Sequence, residues 1–279
     1  EKLEQKLIYS KKNNCLPKII IPVHFAGQSC DMKSIYKLSK KYKFKIIEDA
    51  SHAIGGSYEN QKVGNCKYSS ITIFSFHPVK IITTAEGGIA TTNNRKIAER
   101  LIRDRSHGIT RNKKSFQKVY KDEIWNYQQV DLGFNYRMND IQAALGISQL
   151  QKLEKFINKR HQIASYYNSE LSTLGICLPY QNIKTNSSYH LYPIRISKKK
   201  GGINQRKLFD YLRGNNIGVN LHYIPIYRHP YFRELGFKKG YCEEAENHFK
   251  EVISLPMYSG LRKKEQKFVI DSIKAIYKK

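Results

Sequence analysis

Two short apolar runs flank an amphipathic segment in KIIIPVHFAGQSCDMKSIYKLSKKYKFKIIEDASHAIGG, residues 18–56. The first run, residues 18–25, and the second, residues 45–47, are predicted strands because each is short and rich in Ile. Between them, apolar side chains recur at helical spacing as far as Tyr42, and Asp31 is placed to cap the helix. A strand, a helix and a strand in this order predict a right-handed crossover in a parallel sheet.

Strand and helix patterns continue to about residue 105 and then change in character. In chain order, periodicity predicts strands at 70–76 and 88–92, a helix at 94–105, a long helix at 139–171 broken near 156–159, strands at 189–196 and 219–224, and helices at 205–215 and 263–277. We therefore predict an α/β fold with two domains. The large domain, residues 1–154, has a parallel-rich sheet flanked by helices, and a smaller α+β domain follows over residues 155–279.

Composition excludes several classes of protein. Of the 279 residues, 40% are hydrophobic and 12% aromatic, which is enough for a packed core. No apolar run approaches the roughly 18–20 residues of a membrane helix, and the charged first twelve residues do not resemble a signal peptide. We expect a cytoplasmic protein with no membrane partner. The five cysteines are widely spaced without a CxxC pair, so we expect neither a disulfide scaffold nor a metal site.

The formal net charge is +26, from 49 Lys and Arg against 23 Asp and Glu. This balance is typical either of a protein that binds nucleic acid or another anion, or of a lysine-rich chain with ordinary solvated faces. The lysines are scattered, and no basic motif interleaved with aromatic residues is present. The second interpretation is favoured, so we expect no nucleic-acid partner.

Lys80 stands in SFHPVKIITTAEGG, residues 75–88, directly after a predicted apolar strand. Pro78 stiffens the approach to it, and Gly87 and Gly88 permit close passage of the backbone after it. An amine in that setting loses hydration, so we expect its pKa to fall and its nucleophilicity to rise. The alternative is an ordinary surface lysine, as we expect for nearly all the others.

Asp49 ends the predicted strand in KIIEDASHAIGG, residues 45–56, where it is well placed to face a ligand cation. Glu48 is expected to be exposed, and a lone histidine such as His52 is more often structural or a simple hydrogen-bonding residue. A lysine on one strand end and a carboxylate on another match the needs of pyridoxal phosphate (PLP). The lysine bonds the cofactor covalently, and the carboxylate keeps the pyridine nitrogen protonated.

Three segments together resemble one enzyme family. They are IIEDASHAIGG (46–56), SFHPVKIITTAEGG (75–88) and LGFNYRMNDIQAALGISQL (132–150), and they follow one another in the family's order. On these motifs the chain resembles the DegT/DnrJ/EryC1/StrS sugar aminotransferases from about residue 18 to its end. The resemblance implies a PLP-dependent transferase of fold type I and a homodimer with a shared active site.

The resemblance also implies roles for individual residues. Lys80 is implied as the lysine that bonds PLP and, once released, moves a proton between the cofactor and the substrate carbon. Asp49 is implied as the partner of the pyridine nitrogen, and His52 as a contact of the ring or its 3′ hydroxyl. Ser75 is implied as a donor to the cofactor phosphate, and Asn135 as a residue that reaches that phosphate from the neighbouring subunit.

Substrate contacts are implied less directly. His107 and His222 match substrate-side positions, and Arg137 and Arg228 either meet a sugar diphosphate or form structural salt bridges. One branch of the family carries histidine at the lysine position and performs dehydration, so the presence of Lys80 favours transamination.

Within the family, three further segments resemble the members that act in pseudaminic acid biosynthesis. These segments are GQSCDM (27–32), RSHGITR (105–111) and GVNLHYIPIYRHPYF (218–232). The resemblance implies a UDP-linked 4-keto-6-deoxy-N-acetyl-hexosamine as the substrate and L-glutamate as the amino donor. The alternatives are transamination of another nucleotide-linked keto-sugar and an inactive remnant of the family.

The beginning of the chain departs from the family pattern. Family members carry a further N-terminal segment with a turn that binds the cofactor phosphate and a residue that stacks on the pyridine ring. The chain starts at Glu1 and has neither feature, so we expect it to be truncated at its N-terminus.

Overall fold

The structure is a computed structural model that describes residues 1–116, 123–196 and 203–278. Its contacts divide the chain into two compact units. The first unit consists of Glu1–Val23, Cys30–Ser51 and Gln61–Gln151, and the second of His24–Ser29, His52–Asn60 and Lys152–Lys279.

Helices and strands alternate along much of the chain. The helices are α1 (Lys2–Lys12), α2 (Met32–Tyr42), α3 (Arg95–Asp104), α4 (Asp140–Leu150), α5 (Leu153–Leu171), α6 (Gln205–Gly214), α7 (Pro230–Glu234), α8 (Glu243–Glu251) and α9 (Lys263–Lys278). The strands are β1 (Ile19–Ile20), β2 (Lys45–Asp49), β3 (Ser57–Tyr58), β4 (Gln61–Lys62), β5 (Ile71–Ser75), β6 (Gly88–Thr91), β7 (Ile109–Thr110), β8 (Gln128–Gln129), β9 (Thr185–Asn186), β10 (Tyr192–Arg195) and β11 (Val252–Leu255).

The first unit is built on a four-stranded sheet in the order β1-β2-β5-β6. Strands β1, β2 and β5 are parallel, and β6 runs antiparallel to β5. Helix α2 connects β1 to β2 and these two strands are parallel, so the predicted strand–helix–strand unit of a parallel sheet is confirmed. The predicted cap is confirmed as well, because the Asp31 carboxylate accepts hydrogen bonds from the backbone N–H and the hydroxyl of Ser34.

The two faces of this sheet differ in burial. Asp49 pairs with Ile73 and Glu48 pairs with Thr72. Because side chains alternate along a strand, Asp49, Ile73 and Ser75 share one face, which is half-buried or exposed. The opposite face, which includes Glu48 and Thr72, is buried.

The expectation that Glu48 is exposed is wrong. Its side chain is only 5% exposed, and its carboxylate accepts hydrogen bonds from the hydroxyls of Ser69 (2.5 Å) and Thr72 (3.1 Å). These two hydroxyls replace the water that a buried carboxylate loses. Pairing with β5 supplies Thr72, and the segment just before β5 supplies Ser69, which is why the local sequence around Glu48 does not reveal this environment.

The second unit packs helices against an antiparallel pair formed by β10 and β11. Helices α5, α6 and α9 contact one another or this pair. The core contains two fully buried tyrosines whose hydroxyls are satisfied: Tyr167 donates to the Pro256 carbonyl at 3.1 Å, and Tyr192 donates to Asn168 at 2.5 Å. The aliphatic side chains that complete the core include Ile163, Leu171, Ile194, Leu208, Leu212, Ile253, Ile270 and Ile273.

Two short segments from the first half of the chain belong to the second unit. Strand β3 pairs antiparallel with β9, and the backbone N–H of Ser188 donates to the Gly27 carbonyl at 3.0 Å. These hydrogen bonds join residues 24–29 and 52–60 to residues that lie more than 120 positions later in the sequence. The boundary expected between residues 154 and 155 falls in the first turn of α5, three residues inside the second unit.

Several predicted elements differ in length or position. The strand predicted at 18–25 is reduced to β1, because Pro22 has no N–H to donate; its carbonyl still accepts from the Asp49 N–H at 3.0 Å. The strand predicted at 219–224 is absent among the described residues apart from a single bridge between Asn220 and Ser254. The break in the long helix lies between α4 and α5, earlier than predicted.

Of the helices in the described ranges, none combines the length and the apolar character needed to cross a bilayer.

Candidate active site

The carboxyl ends of β2 and β5 form the centre of the candidate site in the first unit. Asp49 is the last residue of β2, and its backbone is held on both sides: its N–H donates to Pro22, and the N–H of Ala50 donates to the Ile73 carbonyl at 2.8 Å. One carboxylate oxygen accepts from the backbone N–H of Ser51 at 3.0 Å. Asp49 is therefore held in place at the sheet edge while it is still half-buried.

Ser75 is the last residue of β5 and lies on the same face of the sheet as Asp49. Its hydroxyl oxygen accepts a hydrogen bond from the N–H of His77 at 3.4 Å. A hydroxyl that accepts from the backbone keeps its own proton for another acceptor, such as an anionic oxygen.

Lys80 lies in the loop of residues 76–87 that joins β5 to β6. Hydrogen bonds close the base of this loop, from the Phe76 N–H to the Gly87 carbonyl (2.8 Å) and from the Thr84 N–H to the Phe76 carbonyl (3.0 Å). A turn within the loop is closed by the Lys80 N–H, which donates to His77 at 2.9 Å. The two residues that follow Lys80 are buried, so the lysine stands on an anchored segment.

The glycine pair after Lys80 is required by close approach of the backbone. A Cβ on Gly88 would lie 2.7 Å from the Phe74 carbonyl oxygen. Gly87 has φ +152°, and a Cβ there would lie 2.4 Å from the Thr84 hydroxyl and 2.7 Å from the Met138 methyl group. The close passage expected from the sequence is confirmed.

Two opposing effects act on the Lys80 amine. Burial lowers its pKa below the ordinary lysine value, and the negative charge of Asp49 raises it by a smaller amount. The expected fall of the pKa is confirmed in direction. Lys80 and Asp49, 31 positions apart in the sequence, are thus brought within electrostatic reach of each other.

Asn135 and His107 lie together elsewhere in the first unit. Ser106 pairs with Asn135 across an antiparallel bridge, and the N–H of His107 donates to the Phe134 carbonyl at 2.9 Å. The side chains of Asn135 and His107 are exposed. Within the described part of the chain, no hydrogen bond or ion pair joins them to Lys80 or Asp49.

His52 belongs to the second unit, where its ring is buried. The ring Nδ1 accepts from the Ala26 N–H at 3.3 Å, and Nε2 lies 3.4 Å from the Tyr223 hydroxyl. Since Nδ1 accepts, the ring proton is assigned to Nε2. The His190 ring lies 4.4 Å from the His52 ring, and the Ser188 hydroxyl donates to the His52 carbonyl at 2.7 Å.

His222 lines a cavity of about 740 Å³ in the second unit. Its Nδ1 lies 2.8 Å from the Ser254 hydroxyl, and its carbonyl lies 3.3 Å from His248 Nε2. Burial lowers the pKa of His248, which favours the neutral ring at neutral pH. Phe25 and Tyr223 complete the aromatic part of the wall.

Arg228 lines a different cavity of the second unit, of about 750 Å³. Its guanidinium carbon lies 5.9 Å from the centre of the Phe249 ring. Three further cations, Arg233, Lys238 and Lys239, share the cavity wall with a single carboxylate. The net positive charge of this wall would stabilise an anion. That Arg228 contacts a sugar diphosphate, as the family resemblance implies, stays a prediction.

The sequence did not indicate the rings that surround His52. Tyr223 is 171 positions from His52 and His190 is 138 positions away, so no local spacing links them. Both lie in segments whose pattern indicated a strand, and that pattern carries no information about which ring faces His52.

The sequence pattern that describes the DegT/DnrJ/EryC1/StrS aminotransferase family matches residues 2–274. Among curated relatives, UDP-4-amino-4,6-dideoxy-N-acetyl-beta-L-altrosamine transaminase of Campylobacter jejuni is 38% identical over 285 residues, covering 100% of this chain and 70% of that protein.

Solved structures give the same result. The fold is similar to Helicobacter pylori PseC, an aminotransferase involved in the biosynthesis of pseudoaminic acid, with a TM-score of 0.82 and 32% identity over 93% of this chain and 66% of that one. It is also similar to the PLP-form of the putative sugar aminotransferase Spr1654 from Streptococcus pneumoniae, with a TM-score of 0.82 and 28% identity over 94% of this chain and 68% of that one.

This chain spans about two thirds of the length of the proteins it matches. The matches confirm the predicted fold class of the PLP-dependent transferases and, at the level of the family, the expectation of an enzyme of the aminotransferase class. The chain belongs to the DegT/DnrJ/EryC1/StrS aminotransferase family.

Proposed function

We propose that this chain catalyses PLP-dependent transfer of an amino group from L-glutamate to the keto group of a nucleotide-linked sugar. The observation that carries the proposal is the placement of Lys80 within electrostatic reach of Asp49, beyond the carboxyl ends of two neighbouring parallel strands. Ligands of open α/β sheets bind at this edge. Membership of the aminotransferase family supports the same chemistry.

The residues at this edge suit PLP. A partly desolvated amine, a carboxylate held by a backbone N–H and a hydroxyl with a proton to donate match the aldehyde, the pyridine nitrogen and the phosphate of the cofactor. When bound, PLP supplies an electrophilic carbon and a ring that withdraws electrons from the substrate carbon. The PLP-form of the Streptococcus pneumoniae relative supports this choice of cofactor.

Lys80 is proposed as both nucleophile and proton carrier. Because burial lowers its pKa, a larger fraction of the amine is neutral at a given pH than for a solvated lysine. A neutral Nζ accepts a proton from a neighbouring carbon acid and returns it to another atom within reach. The anchored loop of residues 76–87 restricts the positions that Nζ samples.

Asp49 is proposed to hold a proton on the pyridine nitrogen. Its backbone is bonded to both neighbouring strands, and its carboxylate accepts from Ser51, so the negative charge stays at one point of the edge. A fixed charge in a half-buried position stabilises a nearby cation without first having to reorient.

The substrate is proposed to be a UDP-linked 4-keto-6-deoxy-N-acetyl-hexosamine, as in the synthesis of pseudaminic acid. Support comes from the Campylobacter jejuni relative, named for a UDP-linked 4-amino-4,6-dideoxy sugar, and from Helicobacter pylori PseC.

A homodimer with a shared site is proposed from the exposure of apolar side chains beside Asn135. Leu132, Phe134 and Tyr136 are 83%, 54% and 73% exposed, which is costly in water for three large side chains within five residues. A second copy that covers this segment would carry Asn135 towards its partner's cofactor.

The Lys80→Ala variant tests the proposed chemistry directly. After incubation with PLP and reduction with borohydride, mass spectrometry should find the pyridoxyl group on Lys80 of the unaltered chain and not at position 80 of the variant. Transaminase activity should fall by about 10² to 10⁴-fold or more, since one group carries both nucleophilic and proton-transfer roles. The control is Lys96→Ala, at an exposed position on α3. Pyridoxyl spread evenly over surface lysines would contradict the proposal.

Asp49→Asn should lower the pKa of Lys80 further. The Asp49 charge opposes burial, so its removal leaves burial to act alone, and the neutral amine then predominates down to a lower pH. The rate of Lys80 acetylation as a function of pH, followed by mass spectrometry, measures this shift. Lys96 in the same samples serves as the internal control. An inflection that stays in place would show that Asp49 does not act on Lys80, and one that moves to higher pH would contradict the expected sign of its effect.

A panel of nucleotide-linked keto-sugars tests the proposed substrate. The UDP-linked 4-keto-6-deoxy-N-acetyl-hexosamine should give the highest kcat/KM with L-glutamate as donor. Equal rates across the panel would contradict the assignment to pseudaminic acid synthesis while leaving the transaminase proposal intact.

Mixed dimers test the shared site. If Asn135 serves the partner's cofactor, a mixture of Lys80→Ala and Asn135→Ala chains should regain about a quarter of the native activity, because half of the dimers then contain one intact site. Lys80→Ala mixed with Asp49→Asn is the matched control and should regain none, since both residues belong to one site. Failure of the first mixture to exceed the second would show that Asn135 does not act across the dimer.

A further inference from the structure

A second cavity lies in the first unit at the other end of the sheet. It has a volume of about 430 Å³ and is formed by the end of α2, the start of β2 and the residues just before β5. Its wall includes four lysines and two tyrosines, Lys40, Lys43, Lys45, Lys67, Tyr36 and Tyr68. Parallel strands have their amino ends together, so this cavity lies opposite the edge that carries Asp49 and Ser75.

The charge of this cavity is strongly positive. All four lysines are exposed, and none of them forms an ion pair within the described ranges 1–116, 123–196 and 203–278. The residues that line the cavity include no carboxylate. The carbonyl end of α2 contributes only about half a negative charge, which four ammonium groups outweigh.

The carboxylates beside this cavity are too few to cancel its charge. Glu48 is buried and accepts hydrogen bonds from Thr72 and from Ser69, and Ser69 is part of the cavity wall, so one negative charge lies just behind that wall. Glu4 pairs with Lys41 at 2.8 Å, which leaves the neighbouring Lys40 without that partner. Four ammonium groups outnumber the single charge of Glu48, so the cavity keeps a net positive charge.

Aromatic rings hold two of the ammonium groups in position. The Lys40 Nζ lies 4.7 Å from the centre of the Tyr36 ring, and the Lys67 Nζ lies 5.3 Å from the centre of the Tyr68 ring. The two rings are themselves 5.7 Å apart. Lysines held by rings lose less conformational freedom when they bind an anion, which favours binding over that of freely moving surface lysines.

We propose that this cavity binds a small polyphosphate anion such as pyrophosphate or the diphosphate of a free nucleotide. Its volume lies within the usual range for small-molecule sites, and ammonium groups bind phosphate oxygens as point charges. Four lysines around one confined space match the three or four negative charges of such an anion. A duplex nucleic acid requires instead a row of cations along an open surface.

The site is separate from the proposed cofactor site. Lys45 and Asp49 are the first and last residues of β2, about 13 Å apart along an extended strand. An anion at the lysine cavity therefore does not touch Lys80 or its loop, and the proposal holds whether or not the chain is a transaminase.

Residue-resolved acetylation tests the proposal on the whole chain. With a limiting amount of acetic anhydride, pyrophosphate should slow the modification of the four cavity lysines several-fold and leave exposed Lys96 and Lys155 unchanged. Inorganic phosphate, with fewer charges, should protect them less. Equal protection of all exposed lysines, or none at the cavity, would overturn the proposal. Protection of cavity and surface lysines alike by a duplex oligonucleotide, with none by pyrophosphate, would overturn it in favour of nucleic-acid binding.

Paired variants test the contribution of charge. Lys45→Gln with Lys67→Gln should weaken pyrophosphate protection at Lys40 and Lys43 by about tenfold or more in affinity. The matched control removes the same charge with Lys96→Gln and Lys155→Gln and should retain full protection. Covalent attachment of PLP at Lys80 should be the same in both pairs, which separates failure of this site from failure of the proposed function. Equal weakening in both pairs would show that only overall charge matters.

Replacing the other half of the cavity provides an independent measurement. Lys40→Gln with Lys43→Gln should remove protection at Lys45 and Lys67 to a similar degree. These side chains are exposed, so the substitutions are expected to leave the stability of the fold nearly unchanged. Undiminished protection in this pair would overturn the proposal.

Discussion

The candidate active site depends on the parallel pairing of β2 with β5. The register sets Asp49 opposite Ile73 and so places Asp49 and Ser75 on one face at the same edge of the sheet. If the register of β2 shifted by one residue, its side chains would change faces. Asp49 would then lie on the buried face, and Glu48 would lie on the face that now carries Asp49. The loop that carries Lys80 begins at the residue that follows β5. The same register therefore also sets the point at which this loop leaves the sheet.

Glu48 and Asp49 are adjacent in the sequence, but side chains alternate between the two faces of β2. Their carboxylates therefore have different burial and different partners. Glu48 is buried, and hydrogen bonds from the hydroxyls of Ser69 and Thr72 hold its carboxylate on the buried face of the sheet. Asp49 is half-buried, accepts from the backbone N–H of Ser51 and acts on Lys80 through its charge. One acid stabilises the pairing of strands, and the other remains available to a ligand cation.

The two edges of this sheet carry different chemistry. At the carboxyl edge, a desolvated lysine is balanced by a carboxylate, so its pKa reflects two opposing effects. At the amino edge, four lysines surround a cavity without a lining carboxylate, and two of them are held by tyrosine rings. Part of the large positive charge of the chain is thus concentrated in one place, although its lysines are scattered along the sequence.

Features governed by interactions within a few residues were determined by the sequence alone. The cap of α2 by Asp31, the crossover to β2, the position of Lys80 beyond a strand and the need for glycine after it all follow from local spacing and backbone sterics. The three motifs in their order also identified the family. Features that join distant parts of the chain were decided only by the tertiary structure.

The burial of Glu48, the rings around His52 and the grouping of Lys40 with Lys67 depend on which elements pair and pack. The local pattern of a strand or helix predicts which side chains share a face. It does not predict which other part of the chain packs against that face. The reason is physical: periodicity and capping act within one or two turns of chain, whereas side-chain contacts across more than a hundred residues exist only after the elements have packed.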